Sequence, residues 1–339
     1  MRTPSKQEIA TFPRYKLAHL PTPLEQLKNL SAFLKGPQIF VKRDDCTGLA
    51  TGGNKTRKLE FLIADALNKG ATVLVTEGGM QSNHVRQTAA AACKARLKCT
   101  LVVDKQVPWQ QDTYKIGGNL FLDQLLGADI RICAPDQPRS ELISHAVQDL
   151  KSAGETPYFI PLGGSCAIGG LGYALCAHEL IEQAAAAGTH IDHVLFATSS
   201  GGTQGGFLAG LDAARSSIRC LGIEIDKDID NARGSVTSVY EATAGLLGQK
   251  ADQSKIHIAE GYAAPGYGMP NKKMVDAVSL VATLEGLLLD PVYSGKAMAG
   301  LIDLVQKGAF ANDENIVFVH TGGTPALFAY TDAFQSQLS

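Results

Sequence analysis

Short β-branched runs alternate with alanine- and leucine-rich segments along this chain. TVLVTEGG at 72–79 precedes HVRQTAAAACKARL at 84–97, and a second apolar run, CTLVVD, follows at 99–104. The same order returns later, where DHVLFATSSGG at 192–202 precedes GFLAGLDAARS at 206–216. Such alternation is typical of βα units, so it predicts an α/β fold with mostly parallel sheets flanked by helices.

The length and the charge of the chain narrow the class of protein. With 339 residues, 45% of them hydrophobic, the chain is long enough for two lobes or one large α/β unit. Its net charge is −2, so we expect no nucleic-acid partner and no anionic membrane surface. The seven scattered cysteines form no Cys-x-x-Cys pair, and the N-terminus has no apolar signal region. These features predict a cytoplasmic protein with reduced thiols.

Four loops follow predicted strands and carry glycines with polar side chains. They span 76–84, 161–170, 197–206 and 319–326. In an open parallel sheet, such loops face one crevice, where ligands bind. The pair His190 and His193 lacks partners at ligand spacing apart from Asp192, so we expect no metal site.

The glycine-rich loop SSGGTQGG, at 199–206, is the clearest candidate for binding an anion. It lies between an apolar run and a predicted helix, so its N–H groups and the Ser200 and Thr203 hydroxyls lie at a helix N-terminus. The alternative is a tight turn needed only for packing. A dinucleotide site does not fit, because no G-x-G-x-x-G motif is present even though Glu224 lies about 20 residues downstream. The loop therefore favours a single phosphate group.

Lys55 lies in the segment TGGNKTRKLEF at 51–61, directly after a glycine turn. Arg57 and Lys58 are expected to lower its pKa by disfavouring its charged form. A neutral lysine amine is a nucleophile for carbonyl groups and can hold an aldehyde cofactor. Together with a phosphate site, this predicts pyridoxal 5′-phosphate (PLP). A second polar loop, Gln81 to His84, either caps a helix or binds a ligand.

Several ordered motifs make the chain resemble the fold-type II PLP enzymes, in the D-cysteine desulfhydrase and 1-aminocyclopropane-1-carboxylate (ACC) deaminase family. These motifs are at 12–25, 42–62, 81–90, 199–206, 264–271, 287–303 and 320–323. The resemblance implies a fold like the tryptophan synthase β subunit, with two three-layer α/β lobes and the cofactor between them. It also implies a large domain of 1–56 and 170–339, a small domain of 57–169, and a homodimer.

The resemblance further implies roles for individual residues. Lys55 carries the cofactor aldehyde and Asn83 bonds the 3′-oxygen of the ring. Catalytic roles fall to Lys55, Ser82, Tyr267 and Tyr293. Cofactor contacts are expected from Lys55, Asn83, Ser200, Gly201, Gly202, Thr203, Ser294 and Thr321, and substrate contacts from Ser82, Asn83, His84 and Ser165. Lys55 is the expected base for the Cα proton, with a tyrosine as the competitor.

Two positions indicate the branch of the family. ACC deaminases carry an acidic residue and a leucine where this chain has Ser294 and Thr321, which match the D-cysteine desulfhydrases. If Ser294 meets the pyridine nitrogen, its neutral hydroxyl leaves that nitrogen largely unprotonated, which favours elimination. The expected reaction converts D-cysteine to pyruvate, hydrogen sulfide and ammonia. The alternatives are an L-cysteate sulfo-lyase with His84 as a cation for the sulfonate, an ACC deaminase, and a non-catalytic PLP-binding regulator.

Overall fold

A computed structural model describes residues 9, 11–226 and 228–335 of the chain. Its strands are β1 Leu24–Gln26, β2 Gln38–Lys42, β3 Val73–Gly79, β4 Lys98–Asp104, β5 Asp129–Ile132, β6 Pro157–Ile160, β7 His193–Thr198, β8 Arg219–Glu224, β9 His257–Ala259 and β10 Asn315–Val319. Its α-helices are α1 Lys28–Leu34, α2 Lys55–Asn68, α3 Asn83–Ala95, α4 Asp112–Ile116, α5 Gly118–Leu125, α6 Arg139–Ser152, α7 Ala167–Ala186, α8 Gly202–Ala213, α9 Ile229–Leu246, α10 Lys272–Glu285, α11 Ser294–Gln306 and α12 Thr324–Ala329. None of the described helices is long and apolar enough to cross a membrane.

The strands form two sheets, and the predicted α/β fold with mostly parallel strands is confirmed. The larger sheet has the order β1-β2-β10-β7-β8-β9, and the smaller has the order β5-β4-β3-β6. Among the described strands of the larger sheet, β1 and β2 form the one antiparallel pair. All pairs of the smaller sheet are parallel. The smaller sheet uses strands from residues 73–160 alone, whereas the exact domain bounds at 56/57 and 169/170 stay a prediction.

Strand β10 shows why the larger sheet is covered on both faces. Ile316 and Phe318 belong to one hydrophobic cluster, whereas Val317 and Val319 belong to another. All four are fully buried. Successive side chains of a strand point to opposite faces, so an unbroken apolar run needs helices on both sides. The first cluster contains side chains of α10 and α11, and the second contains side chains of α7, α8 and α9.

A buried ionic network anchors the first turn of α2, the helix that begins at Lys55. The Arg57 guanidinium donates to both carboxylate oxygens of Asp44 at 2.8 Å and to Glu179 Oε1 at 2.9 Å. Lys42 Nζ lies 2.5 Å from the same Glu179 oxygen, and the Tyr173 hydroxyl donates to Asp44 at 2.6 Å. The Asp44 charge, opposing the effect of burial, raises the Arg57 pKa well above its usual value. The network therefore joins α2 to the loop after β2 and to α7.

Replacing Arg57 by Met is expected to lower the free energy of unfolding by about 3–5 kcal/mol, because Asp44 and Glu179 then stay buried without their main counter-charge. Urea denaturation of the protein measures this loss. The matched control is Arg131→Met, which breaks pairs with the exposed Asp129 and Asp149 and should cost less than about 1 kcal/mol. Equal losses for the two variants would contradict the assigned role of the network.

Candidate active site

A wide cavity of about 530 Å³ opens at the carboxyl ends of β3, β7 and β8, next to Gly79, Ser199 and Asp226. A narrow cavity adjoins it along the loop after β7 and reaches Thr321 after β10. The two cavities share five lining residues, which are Lys55, His84, Ser199, Ser200 and Tyr293. All four loops that the sequence singled out contribute to these walls. Among the described residues, no cluster of three or more His, Cys, Asp or Glu could hold a metal ion.

The chain reaches Lys55 through a backbone with left-handed residues. Gly52 and Gly53 have φ values of 73° and 130°, and Thr51, which is not a glycine, has φ of 70°. A Cβ on Gly52 would lie 2.0 Å from the Asp45 carbonyl oxygen, so no larger residue fits there. Backbone strain of this kind costs about 1–3 kcal/mol per non-glycine residue and persists only where the surroundings hold it.

Contacts from other segments hold this strained turn. Asn54 Nδ2 donates to Thr203 Oγ1 at 3.0 Å, and the Asn54 N–H donates to the Thr321 carbonyl at 3.0 Å. The Arg86 guanidinium donates to the Gly52 carbonyl at 2.9 Å. These hydrogen bonds therefore connect the turn before Lys55 to the glycine-rich loop, to the loop after β10 and to α3.

Burial lowers the pKa of Lys55 to about 8, while the nearby Asp290 carboxylate opposes this shift. Lys55 is partly exposed and lines both cavities. The lowered pKa agrees with the sequence-based expectation, but both expected causes were wrong. The hydrogen bond with Lys58 raises the Lys55 pKa, and the shift has no contribution from Arg57. That side chain turns away into the ionic network with Asp44 and Glu179, and desolvation is the largest cause.

Lys58 is a site residue that the sequence analysis assigned only an electrostatic effect. It is fully buried, and its Nζ donates to the Gly163 carbonyl at 3.1 Å. A Cβ on Gly202 would lie 2.6 Å from this amine, so Lys58 packs against the first turn of α8. Burial and the Lys55 charge lower the Lys58 pKa well below its usual value. Its spacing of three residues from Lys55, on one helix face, is a signal that could have identified it.

The glycine-rich loop forms an open cradle at the N-terminus of α8. Ser200, Gly201, Gly202 and Thr203 all line the narrow cavity. Gly201 has φ of 76°, and a Cβ there would lie 2.4 Å from the Ser235 backbone. The first N–H groups of a helix lack intrahelical partners and attract anions. With the Lys58 amine beside it, this cradle fits a phosphate group.

The Asn83 side chain has a fixed orientation. Arg86 can only donate hydrogen bonds, and its Nη1 bonds Asn119 Oδ1 at 2.7 Å. Asn119 Nδ2 must therefore be a donor, and it bonds Asn83 Oδ1 at 2.9 Å. This leaves Asn83 Nδ2 available as a donor at the narrow cavity, which Asn83 lines. Asn119 was not identified from the sequence.

Tyr267 and Tyr293 meet at the wide cavity. Their hydroxyl groups share a hydrogen bond, and their rings stack edge to face with centroids 5.9 Å apart. Burial raises the pKa of Tyr267 and raises that of Tyr293 well above its usual value. Both phenols are therefore protonated at neutral pH, and one O–H remains to donate to a ligand.

Among the three predicted serines outside the cradle, only Ser82 lines the wide cavity. Its Oγ accepts from the Val85 N–H at 3.3 Å, so it caps α3 and keeps its own proton to donate. Ser165 Oγ bonds Ser200 Oγ at 2.9 Å, and its contact with the substrate stays a prediction.

The Ser294 hydroxyl makes two hydrogen bonds, both with Asp290. Asp290 was not identified from the sequence. The Ser294 hydroxyl donates to Asp290 Oδ1 at 2.6 Å and accepts from the Asp290 N–H at 2.7 Å. Asp290 is completely buried and also accepts the N–H groups of Val292, Tyr293 and Ser294. The expected contact of Ser294 with a pyridine nitrogen stays a prediction, because it requires the hydroxyl to turn from Asp290. An Asp-Pro pair before a helix is a signal for such a capping role.

With this geometry established, comparison with known proteins identifies the family. The family model described as pyridoxal-phosphate dependent enzyme matches residues 15–322. This chain belongs to the pyridoxal-phosphate dependent enzymes. The predicted PLP cofactor is thereby confirmed, and the cradle, the Asn83 amide and the Lys55 amine form a set of groups that fits it.

The curated relatives and solved structures agree with this family. The chain is 44% identical to a D-cysteine desulfhydrase of Yersinia pestis (strain Pestoides F) over 326 residues, which cover 96% of this chain and 98% of the relative. It is also 44% identical to one of Salmonella choleraesuis (strain SC-B67), with 95% and 97% covered. An ACC deaminase homologue superposes with a TM-score of 0.87 at 36% identity, covering 97% of each chain. The holo diaminopropionate ammonia lyase of Escherichia coli, at 17% identity, 98% and 92% coverage and a TM-score of 0.70, shares the fold.

In the PLP-free protein, Asp290→Asn is expected to lower the Lys55 pKa below about 8. The carboxylate stabilises the ammonium form, so removing its charge makes deprotonation easier, while Asn retains an oxygen for capping. The pH dependence of Lys55 acylation, followed by mass spectrometry of the 51–61 peptide, measures this pKa. A Lys55 pKa near 10.4, the value of an ordinary lysine, in the unsubstituted protein would contradict the desolvated site.

Proposed function

We propose that this PLP-dependent enzyme is a carbon–sulfur lyase that converts D-cysteine to pyruvate, hydrogen sulfide and ammonia. The observation that carries the proposal is the Lys55 amine, whose pKa is about 8 and which shares a cavity wall with the anion cradle at 200–203. The D-cysteine substrate is supported by the 44% identity to D-cysteine desulfhydrases over nearly the full chain.

Particular groups would hold each part of the cofactor. Lys55 would bind its aldehyde carbon, and Asn83 Nδ2 would donate to the ring oxygen. The turn from Ser200 to Thr203 would bind the phosphate, joined by the Lys58 amine. Ser294 and Thr321 would lie beside the ring. When bound, PLP supplies an electron sink that stabilises negative charge at the substrate Cα.

Lys55 is the residue best suited to accept the Cα proton. An amine with a pKa near 8 is partly neutral at physiological pH and can act as a base. The competing tyrosines are poor bases, because burial keeps both phenols protonated. We therefore assign proton abstraction to Lys55 and a hydrogen-bonding role to Tyr267 and Tyr293.

The substrate carboxylate would bind at the start of α3. The Ser82 hydroxyl proton is free to donate, because its oxygen already accepts from the Val85 N–H. The remaining phenolic O–H of the tyrosine pair faces the same cavity. Hydrogen bonds to a charged acceptor are stronger than neutral ones, so these donors would fix the amino acid in one orientation.

The site gives less support to the alternative reactions. The sulfonate of L-cysteate needs a cation or several donors, and His84 was the candidate cation. Burial, together with the charges of Lys55 and Lys58, lowers the His84 pKa well below its usual value, so the ring is neutral. The intact set of Lys55, Ser82 and both tyrosines argues against a non-catalytic regulator. ACC as the main substrate is disfavoured by Ser294 and Thr321.

We also propose a cytoplasmic homodimer. The cysteines all have free thiols in the described structure, which suits a reducing compartment. Helices α4, α5 and α12 pack together and expose Ile116, Phe121, Leu125 and Phe328, each more than half accessible. A clustered apolar surface is typical of a protein interface. Light scattering should give a mass near 72 kDa for a dimer of the 35.8 kDa chain, and Leu125→Glu should reduce it to one chain.

The decisive assay offers D-cysteine, L-cysteine, L-cysteate and ACC to the purified holoenzyme. D-cysteine is expected to yield equimolar pyruvate and sulfide, whereas ACC should yield little 2-oxobutyrate. Lys55→Ala should reduce pyruvate release by at least about a thousandfold, because it removes both the cofactor attachment and the base.

Lys58→Ala is the matched control for loss of a buried amine. It should weaken PLP retention, yet excess PLP should restore measurable turnover. Comparable rates for ACC and D-cysteine, or sulfite release from L-cysteate exceeding sulfide release, would refute the proposed substrate.

A further inference from the structure

His84 carries an unpaired polar atom in the active site. The residue is 3% exposed, and its ring lines both the wide and the narrow cavity. Its Nε2 lies 2.8 Å from Thr76 Oγ1. Its Nδ1 is buried and has no hydrogen-bond partner among the described residues. A buried polar atom without a partner is costly, which suggests that a ligand group meets it.

Thr76 determines the tautomer of the His84 ring. The Thr76 hydroxyl has one proton, and it donates this proton to the Ile160 carbonyl at 2.8 Å. Thr76 Oγ1 can therefore only accept from His84, which places the ring proton on Nε2. In a neutral ring with Nε2 protonated, Nδ1 presents a lone pair and no proton.

Burial, helped by the surrounding charges, keeps the ring in this neutral form. Burial is the main reason why the His84 pKa lies well below its usual value, and the amines of Lys55 and Lys58 lower it further. A phosphate or sulfonate oxygen would meet the Nδ1 lone pair with repulsion. A thiol, hydroxyl or ammonium group would donate a hydrogen bond to it.

We propose that His84 Nδ1 is a specificity-determining acceptor that binds a hydrogen-bond donor on the β-substituent of the substrate. The site thereby selects amino acids with a β-thiol over those whose β-group only accepts hydrogen bonds, such as a sulfonate. This inference rests on the proposed lyase function. It extends that function by naming His84 as the residue that binds the leaving group.

The chemical step balances with His84 in this role. The Cα proton passes to the Lys55 amine, and the Cα electron pair forms the Cα=Cβ bond. The Cβ–S bond breaks, and its electron pair leaves with sulfur as hydrosulfide. The S–H proton stays on sulfur and remains hydrogen-bonded to Nδ1, so His84 gains no proton and no redox partner is needed.

The test compares D-cysteine with β-chloro-D-alanine, whose leaving group has no donor. His84→Gln keeps a side-chain N–H that can reach Thr76 but has no acceptor at the Nδ1 position. The ratio of kcat/KM for D-cysteine to that for β-chloro-D-alanine should fall about tenfold, as expected for one lost hydrogen bond. His84→Asn, whose amide can occupy the Nδ1 position, should recover part of the ratio. An unchanged ratio in His84→Gln would overturn the inference.

A second measurement is independent of turnover. Nitrogen NMR of histidine-labelled, PLP-free protein should show His84 with Nε2 protonated and Nδ1 unprotonated at neutral pH. Thr76→Val removes the acceptor that fixes this tautomer and should lower the same kcat/KM ratio, whereas Thr76→Ser should retain it. A proton on Nδ1 in the unsubstituted protein would overturn the inference.

Two further outcomes separate the inference from the alternatives. Loss of PLP absorbance in His84→Gln with an unchanged substrate ratio would assign His84 to the phosphate and overturn the substrate role. No pyruvate from either substrate with the unsubstituted holoenzyme would refute the proposed lyase function, and with it the substrate role. The NMR measurement would still decide the His84 tautomer in that case.

Discussion

The site depends on two lysine amines that are removed from water together at one end of α2. Desolvation disfavours charge on both Lys55 and Lys58, and their proximity allows only one to be easily protonated. Asp290 supplies a counter-charge for Lys55, whereas Lys58 is held by the Gly163 carbonyl. The protein thereby divides the roles of the two amines, since Lys55 lines both cavities and Lys58 packs against the cradle.

Such an arrangement needs a rigid support, because buried amines without partners destabilise the fold. The Arg57 network fixes the first turn of α2 from one side, and the contacts of Asn54 and Arg86 fix the preceding turn from the other. The left-handed Thr51 is tolerated within this frame. Arg86 has a second role. Through its hydrogen bond to Asn119, it determines which atom of the Asn83 amide faces the cavity. The same side chain therefore stabilises the turn before Lys55 and orients a group of the candidate active site.

The sequence predicted the features that depend on local pattern. The alternation of β-branched runs and helical segments predicted the parallel sheets. The four glycine-bearing loops after predicted strands, one of which contains Ser200 and Thr203, predicted a common crevice. What could not be predicted depends on contacts between distant segments. Lys58 meets Gly163 across 105 residues, and Ser165 bonds Ser200 across 35. The orientation of the Asn83 amide and the His84 tautomer follow from chains of donors and acceptors that no periodicity encodes.

The central claim is that Lys55, and not its buried neighbour, holds the cofactor. Borohydride reduction of the PLP-loaded protein makes the lysine–cofactor bond permanent, and mass spectrometry of the 51–61 peptide then locates it. We expect a pyridoxyl phosphate group on Lys55, because this amine lines both cavities and is partly neutral near pH 8. Modification of Lys58 instead, or of no residue in this peptide, would contradict it.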